Sequence, residues 1–253
     1  MLRSIGLWLY LWPYRPLYAS FLVISTIVMS LLAALSSIPA PGGNLAYHCG
    51  VLWARMNLAC SFVRVRARGL DHIVAGQPYV VMSNHQSYFD IWALFDTLPL
   101  QLRWVMKAEL RKVPIFGLAC ERAGYLFVQR GHSEQARRSL ADAGTKIRGG
   151  ASVVFFPEGT RSDDGALQPF KKGGFHVAQA ARVPILPVTV NGGCHIFPKG
   201  TTALRPGTME VIIHPPIPVD SEGEETREQL MAEVRAAIER GLPPTSRVER
   251  PAQ

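Results

Sequence analysis

The chain has 253 residues, 48% hydrophobic content and a formal net charge of +8, which excludes a disordered or fibrous chain and leaves apolar material for one large domain or two small ones. The basic excess calls for an anionic partner. No stretch interleaves arginines with aromatics as nucleic-acid motifs do, so a membrane surface is expected and nucleic acid is not.

From Pro16 to Ala54 there is no Asp, Glu, Lys or Arg. Inside this stretch Leu17 to Ser36 supplies 20 mostly apolar residues, about the length of a helix that crosses a bilayer. Trp8, Tyr10, Trp12, Tyr14 and Tyr18 gather at its start, as interfacial anchors do. Pro39, Pro41, Gly42 and Gly43 then break the helix, because proline lacks a donor and glycine favours a turn. A second apolar helical stretch, Leu45 to Phe62, is interrupted only by Arg55. Arg3 and Arg15 flank one outer end and Arg64, Arg66 and Arg68 the other, which places both flanks on the cytoplasmic side of an inner membrane. Residues 1–62 are therefore read as membrane-anchoring helices forming an embedded hairpin, with a single spanning helix or a packed helical subdomain as alternatives. A cleaved signal peptide carries a shorter apolar core, roughly 7 to 15 residues. The four cysteines, Cys49, Cys60, Cys120 and Cys194, form no C-x-x-C pair and no metal-ligand spacing with the histidines, so reduced core thiols facing the cytosol are expected, and no metal.

From residue 63 short apolar runs alternate with helical patterns. Strands are expected at 62–67, 79–82, 103–106, 125–128, 152–156, 185–190 and 210–214, and helices near 90–97, 114–122, 133–148 and 174–182. This alternation predicts an α/β domain over 63–242, a mixed β-sheet covered by helices. Ser221 and Glu224 make a capping box ahead of a helix that carries Leu230, Val234 and Ile238 on one stripe. Residues 243–253 read as a disordered tail.

The strand at 79–82 runs into Ser83–Trp92, SNHQSYFDIW, where His85 and Asp90 stand five residues apart. On a regular helix such positions point roughly 140° away from each other, so the side chains meet only if His85 precedes the helix. Ser87-x-x-Asp90 is also a capping box, with Ser87 at the N-cap and Asp90 reaching back to the orphan amides. The capping and catalytic readings share one geometry, with His85 in the loop after a strand and Asp90 on the next first turn. In α/β proteins that place attracts ligands. There a neutral imidazole takes a proton from an attacking alcohol while the carboxylate fixes the tautomer and stabilises the imidazolium. The chain contains no G-x-S-x-G, so the attacking hydroxyl is expected to be the substrate's own.

A second constellation, FFPEGTRS, spans Phe155 to Ser162. Gly159 and Thr160 turn the chain and offer backbone donors, Arg161 has the fork to grip a phosphate, and Glu158 either orients Arg161 or meets a sugar-like hydroxyl. A strand-to-loop turn with a surface ion pair is the alternative. PFKKGGF, 169–175, adds two lysines beside two glycines, either an anion contact or a solvated turn.

Together these motifs resemble the glycerolipid acyltransferases, and most closely the bacterial 1-acylglycerol-3-phosphate acyltransferases. Asn84-His85-Gln86-Ser87 with Asp90 matches the family's first motif, N-H-x-S-x-x-D, and Phe156-Pro157-Glu158-Gly159-Thr160-Arg161-Ser162 its third. GYLFVQR, Gly124 to Arg130, is similar to the second and VPILPV, Val183 to Val188, to the fourth, the whole running from about residue 45 to 215. The resemblance implies acyl transfer to the sn-2 hydroxyl of lysophosphatidic acid, with no cofactor beyond the acyl carrier protein or coenzyme A thioester that serves as donor. It implies His85 as general base, Asp90 as its partner, Glu158, Gly159, Thr160 and Arg161 on the glycerol phosphate, and Arg130 and Lys107 as further phosphate contacts. Gln129 departs from the pattern, standing where an acidic residue often precedes the motif's arginine. Other lysolipid acceptors, such as lyso-ornithine lipid or lysophosphatidylglycerol, and a non-catalytic lipid-binding protein of the same fold are the remaining expectations.

Overall fold

A computed structural model of the chain describes residues 14–40, 43–128, 133–162, 164–219 and 223–244. Helix α1, Tyr14–Ser36, and helix α2, Asn44–Cys60, are separated by the segment that contains the expected proline and glycine break. Gly43 ends that break with φ of 77°, and a Cβ there would lie 2.8 Å from the carbonyl of Ala123, so the turn closes directly on neighbouring backbone. The two helices are tied at both ends of α2. The Tyr14 hydroxyl donates to the Cys60 carbonyl, and Ala33 of α1 packs on Ala46.

Of the expected two-helix membrane segment, α1 alone among the described residues is long and apolar enough to cross a bilayer by length and composition. Its outward face presents Leu17, Ile24, Ile27, Leu31 and Leu35 to the surroundings. Helix α2 carries Arg55 and Asn57 and packs on the body of the protein. Trp53 meets Trp92 edge-on with ring centres 5.5 Å apart, and Arg55 Nε lies 2.9 Å from Asp96 Oδ1.

The body is one seven-stranded mixed sheet with strands β1 Val63–Arg68, β2 Val80–Ser83, β3 Leu102–Lys107, β4 Leu126–Val128, β5 Ser152–Phe155, β6 Ile185–Asn191 and β7 Gly207–Ile213, in the order β1-β7-β6-β2-β5-β3-β4. From β6 to β4 every neighbour is parallel; β7 runs antiparallel to β6 and carries β1 parallel to itself at the edge. Seven of seven expected strands are present. Helices α3 Phe89–Thr97, α4 Phe116–Arg122, α5 Ser133–Arg148 and α6 Gly173–Ala181 match the expected helical stretches, joined by a short α7 Gly193–Ile196 that the sequence pattern does not announce.

Both faces of the sheet are buried, and the period of two sorts them. Val81, Leu186 and Val188 face α2 and α3, while Val80, Met82, Val153 and Ile185 face α5, α6 and the last helix, α8 Glu224–Gly241. The stripe of Leu230, Val234 and Ile238 packs into this second core as expected. The expected capping box does not start α8, because Gly223 occupies the cap position; Ser221 lies outside the described residues, as does the tail from 245 onward.

Truncating Ile238, which is fully buried, leaves a cavity between α8 and the sheet. Ile238→Ala should lower the unfolding free energy by ~2–5 kcal/mol, read from the urea midpoint, with the m-value unchanged.

Candidate active site

Because β2, β3, β5 and β6 are parallel, they deliver their carboxyl ends to one edge of the sheet, where α/β proteins place ligands. The loops that leave this edge carry His85, Lys107, Glu158–Arg161 and the glycines before α7.

Chain direction changes sharply after Ser83. Asn84 extends the ladder with its side chain, accepting from the Val190 amide and donating to the Val190 carbonyl, both at 2.8 Å. Helix α3 begins at Phe89, and Tyr88 holds the cap position without a side-chain bond. The bonds of the expected capping box are nevertheless present: the Ser87 hydroxyl accepts from the Phe89 amide at 3.4 Å while donating to the Phe197 carbonyl at 2.9 Å, and Asp90 reaches back from the first turn. Asp90 Oδ2 accepts from the amides of Gln86 at 2.6 Å and Ser87 at 2.7 Å and lies 2.9 Å from His85 Nδ1. A bond from Nδ1–H to the carboxylate leaves Nε2 as the ring's acceptor. The imidazole is stacked on Phe156, ring centres 3.9 Å apart and 11° between planes, which leaves it little rotational freedom.

Two residues to which the sequence assigns no role complete this pair. Phe156 supplies the stacking wall. Gly193, opening α7, lets its backbone reach the buried carboxylate: a Cβ at this position would sit 2.3 Å from Asp90 Oδ1. The G-G pair at 192–193 was the visible signal, since neighbouring glycines mark either a turn or a close approach.

The loop after β5 grips His85 by its backbone. Glu158 Oε1 accepts from the His85 amide at 2.8 Å, the Ser162 amide donates to the His85 carbonyl at 2.8 Å, and Glu158 Oε2 accepts from the Gln168 amide at 2.7 Å. Glu158 is only 3% exposed, so its carboxylate faces inward, away from the open position expected for a ligand contact. Gly159 turns the chain with φ of 71°, and the aliphatic end of Lys171 lies across it, 2.9 Å from where a Cβ would be. Lys172 points elsewhere, 2.8 Å from Glu224. Arg161 stacks its guanidinium over the Tyr88 ring at 4.0 Å, and Lys199 donates to its carbonyl at 3.0 Å. Thr160 is exposed beside it, and Lys107 is exposed at the end of β3 on the same sheet edge. Arg130 lies outside the described residues. Among the described residues no three His, Cys, Asp or Glu side chains gather into a metal site.

Such an arrangement offers a held imidazole with one free nitrogen, next to a cluster of cations. It can remove a proton from a hydroxyl whose own molecule carries an anionic group.

Residues 64–191, just over half the chain, match the model of the Acyltransferase family. Similar proteins include the human 1-acyl-sn-glycerol-3-phosphate acyltransferase alpha, 36% identical over 62% of this chain and 56% of its own length. The human beta enzyme is 31% identical over 75% of this chain and 69% of its own, and a 1-acyl-sn-glycerol-3-phosphate acyltransferase of Chlamydomonas reinhardtii is 31% identical over 90% and 66%. The chain thus spans about half the length of the first of these relatives. Among solved structures, the 1-acyl-sn-glycerophosphate acyltransferase of Thermotoga maritima superposes with a TM-score of 0.76 at 27% identity, covering 90% of this chain and 93% of that one.

Burial pushes the Glu158 carboxyl up to about 7, against the opposing pull of the Gln168 and His85 amides. A carboxyl raised above its ordinary 4.5 binds its proton more tightly folded than unfolded, so this contribution to stability is complete below pH 4.5 and is lost as pH rises through about 7. Relative to Glu158→Gln, the wild-type unfolding free energy should fall by roughly 3 kcal/mol from the acid to the alkaline side of that window. Urea unfolding of both proteins across the range measures it; parallel curves would assign the titration to another group.

Proposed function

Since this chain belongs to the Acyltransferase family, we propose that it transfers a fatty acyl group from a thioester to the sn-2 hydroxyl of 1-acylglycerol-3-phosphate, forming phosphatidic acid. The reading rests on the names of its relatives, and the observation that carries it is the 2.9 Å pairing of His85 Nδ1 with a carboxylate that is itself capped by two amides.

In this mechanism His85 Nε2 removes the proton of the sn-2 hydroxyl as its oxygen attacks the thioester carbonyl. Asp90 stabilises the imidazolium, and its two amide bonds hold the carboxylate in place while it does so. Collapse of the tetrahedral intermediate breaks the carbon–sulfur bond, and the imidazolium returns its proton to the departing thiolate. A thioester is already activated, so positioning and proton transfer serve without a covalent acyl-enzyme. Arg161 leaves the Tyr88 ring to take the acceptor phosphate, with Lys107 and Arg130 as further cations. Gly159 and Thr160 shape the turn that carries Arg161. Glu158 acts from behind, as the brace of the His85 backbone.

The donor is an acyl carrier protein or coenzyme A thioester, and a chain of net charge +8 favours encounter with either anion. Residues 1–62 anchor the protein at the inner membrane through α1, with the domain of 63–242 on the cytoplasmic side and 243–253 as a tail. The chain then meets its acceptor in the leaflet where that lipid resides.

Offering the purified protein a panel of lysolipids with labelled acyl thioesters tests the acceptor and donor together; transfer to lyso-ornithine lipid or lysophosphatidylglycerol in preference to lysophosphatidic acid would change the assignment. His85→Ala should lower kcat by about a thousandfold or more while the thermal melt is kept. Arg161→Ala should chiefly raise the KM for lysophosphatidic acid, about tenfold, and an unchanged KM would remove Arg161 from the phosphate site.

A further inference from the structure

The segment from Lys107 to α4 carries an exposed apolar tip that the chemistry above does not use. Val113, Ile115 and Leu118 are 44%, 37% and 49% exposed. Ile115 sits at φ of 63° and ψ of −54°, and the Phe116 amide donates to the Pro114 carbonyl at 2.6 Å around it. This is the γ-turn of positive φ, rare and strained for any residue with a Cβ and most of all for a β-branched one. The turn is held rigidly, since the Gly117 amide donates to the Val113 carbonyl at 2.8 Å and a Cβ on Gly117 would meet the Arg111 carbonyl at 2.1 Å. In water an isoleucine gains nothing from being displayed on such a turn. It gains when its side chain leaves water.

What would receive it is indicated by what lies beside it. Ala119 and Ala123 of α4 pack against Ala33 of α1, so the tip continues the apolar surface formed by Leu31, Leu35 and Ile38 at the end of α1. Arg111, Lys112 and Arg122 rim the tip in exposed positions, and of the acidic residues nearby, Glu109 and Glu121, the latter is paired with Arg111. Apolar side chains ringed by cations beside a bilayer-length helix match an anionic membrane interface.

We propose that the Val113–Leu118 tip is a second membrane contact, a wedge set in the headgroup region of an anionic bilayer beside α1. The proposal rests on the lipid-acceptor reading above. Lys107, which begins this segment, is thereby carried to the level of the lipid phosphates. The membrane therefore helps to position the acceptor site.

Full-length protein tests this in two ways. A Leu118→Cys variant carrying an environment-sensitive fluorophore, with the labelled wild type as control for the native cysteines, is titrated with phosphatidylcholine vesicles containing phosphatidylglycerol. A blue shift with a several-fold rise in emission is expected, and unchanged emission on vesicles that bind the protein overturns the wedge, whatever the enzyme's acceptor proves to be. Separately, Ile115→Gly relieves the turn, so it should melt a few degrees higher yet raise the apparent KM for vesicle-embedded lysophosphatidic acid about tenfold. Its KM for a short-chain, monodisperse acceptor should be unchanged. An equal rise in both formats, or a loss seen only with acyl carrier protein as donor, would show that the tip meets substrate or a protein instead and would overturn the proposal.

Discussion

One carboxylate oxygen organises the centre of this molecule. Asp90 Oδ2 receives the amides of Gln86 and Ser87 and the His85 ring, so the same atom starts a helix and orients an imidazole. The helix cannot begin in this register without presenting the carboxylate to the histidine. The helix cap and the imidazole–carboxylate pair, which compete as explanations of the sequence, are one structure. Isolation of the pair follows from its neighbours, because Phe156 covers the ring and Gly193 seals the far side of the carboxylate.

Around that pair the charged groups divide by depth. Glu158 is buried and spends both oxygens on backbone amides, whereas Lys107 and Lys171 are exposed at the sheet edge. A buried acid thus sets geometry and leaves the exposed cations free of that task. Arg161 lies between these roles, its charge over the face of Tyr88, an attraction weak enough for an anionic group to displace.

The strands were legible because a doubly covered parallel sheet demands apolar runs such as residues 153–155 and 185–188. The His85–Asp90 pair was legible for a local reason, since both ends lie within one strand-to-helix turn. What escaped the sequence is non-local. Nothing in FPEGTRS says that Glu158 faces His85, 73 residues away in the chain. The antiparallel sense of β7, the approach of Gly193 and the docking of α2 depend equally on partners distant in sequence. The helix starts one residue later than the capping box suggests, with Tyr88 at the cap, because Ser87 divides its hydroxyl between the Phe89 amide and the Phe197 carbonyl, 110 residues away in the chain.

Helix α2 lies between the greasy helix and the catalytic body, joined to the first by Tyr14 and Ala33 and to the second by Trp53 and Arg55. Among the described residues no free linker separates α2 from the sheet, so the pose of α1 is set by the domain it packs against. If α1 enters a bilayer as we propose, the body keeps a fixed tilt and height above the lipid plane, and its search for substrate becomes two-dimensional.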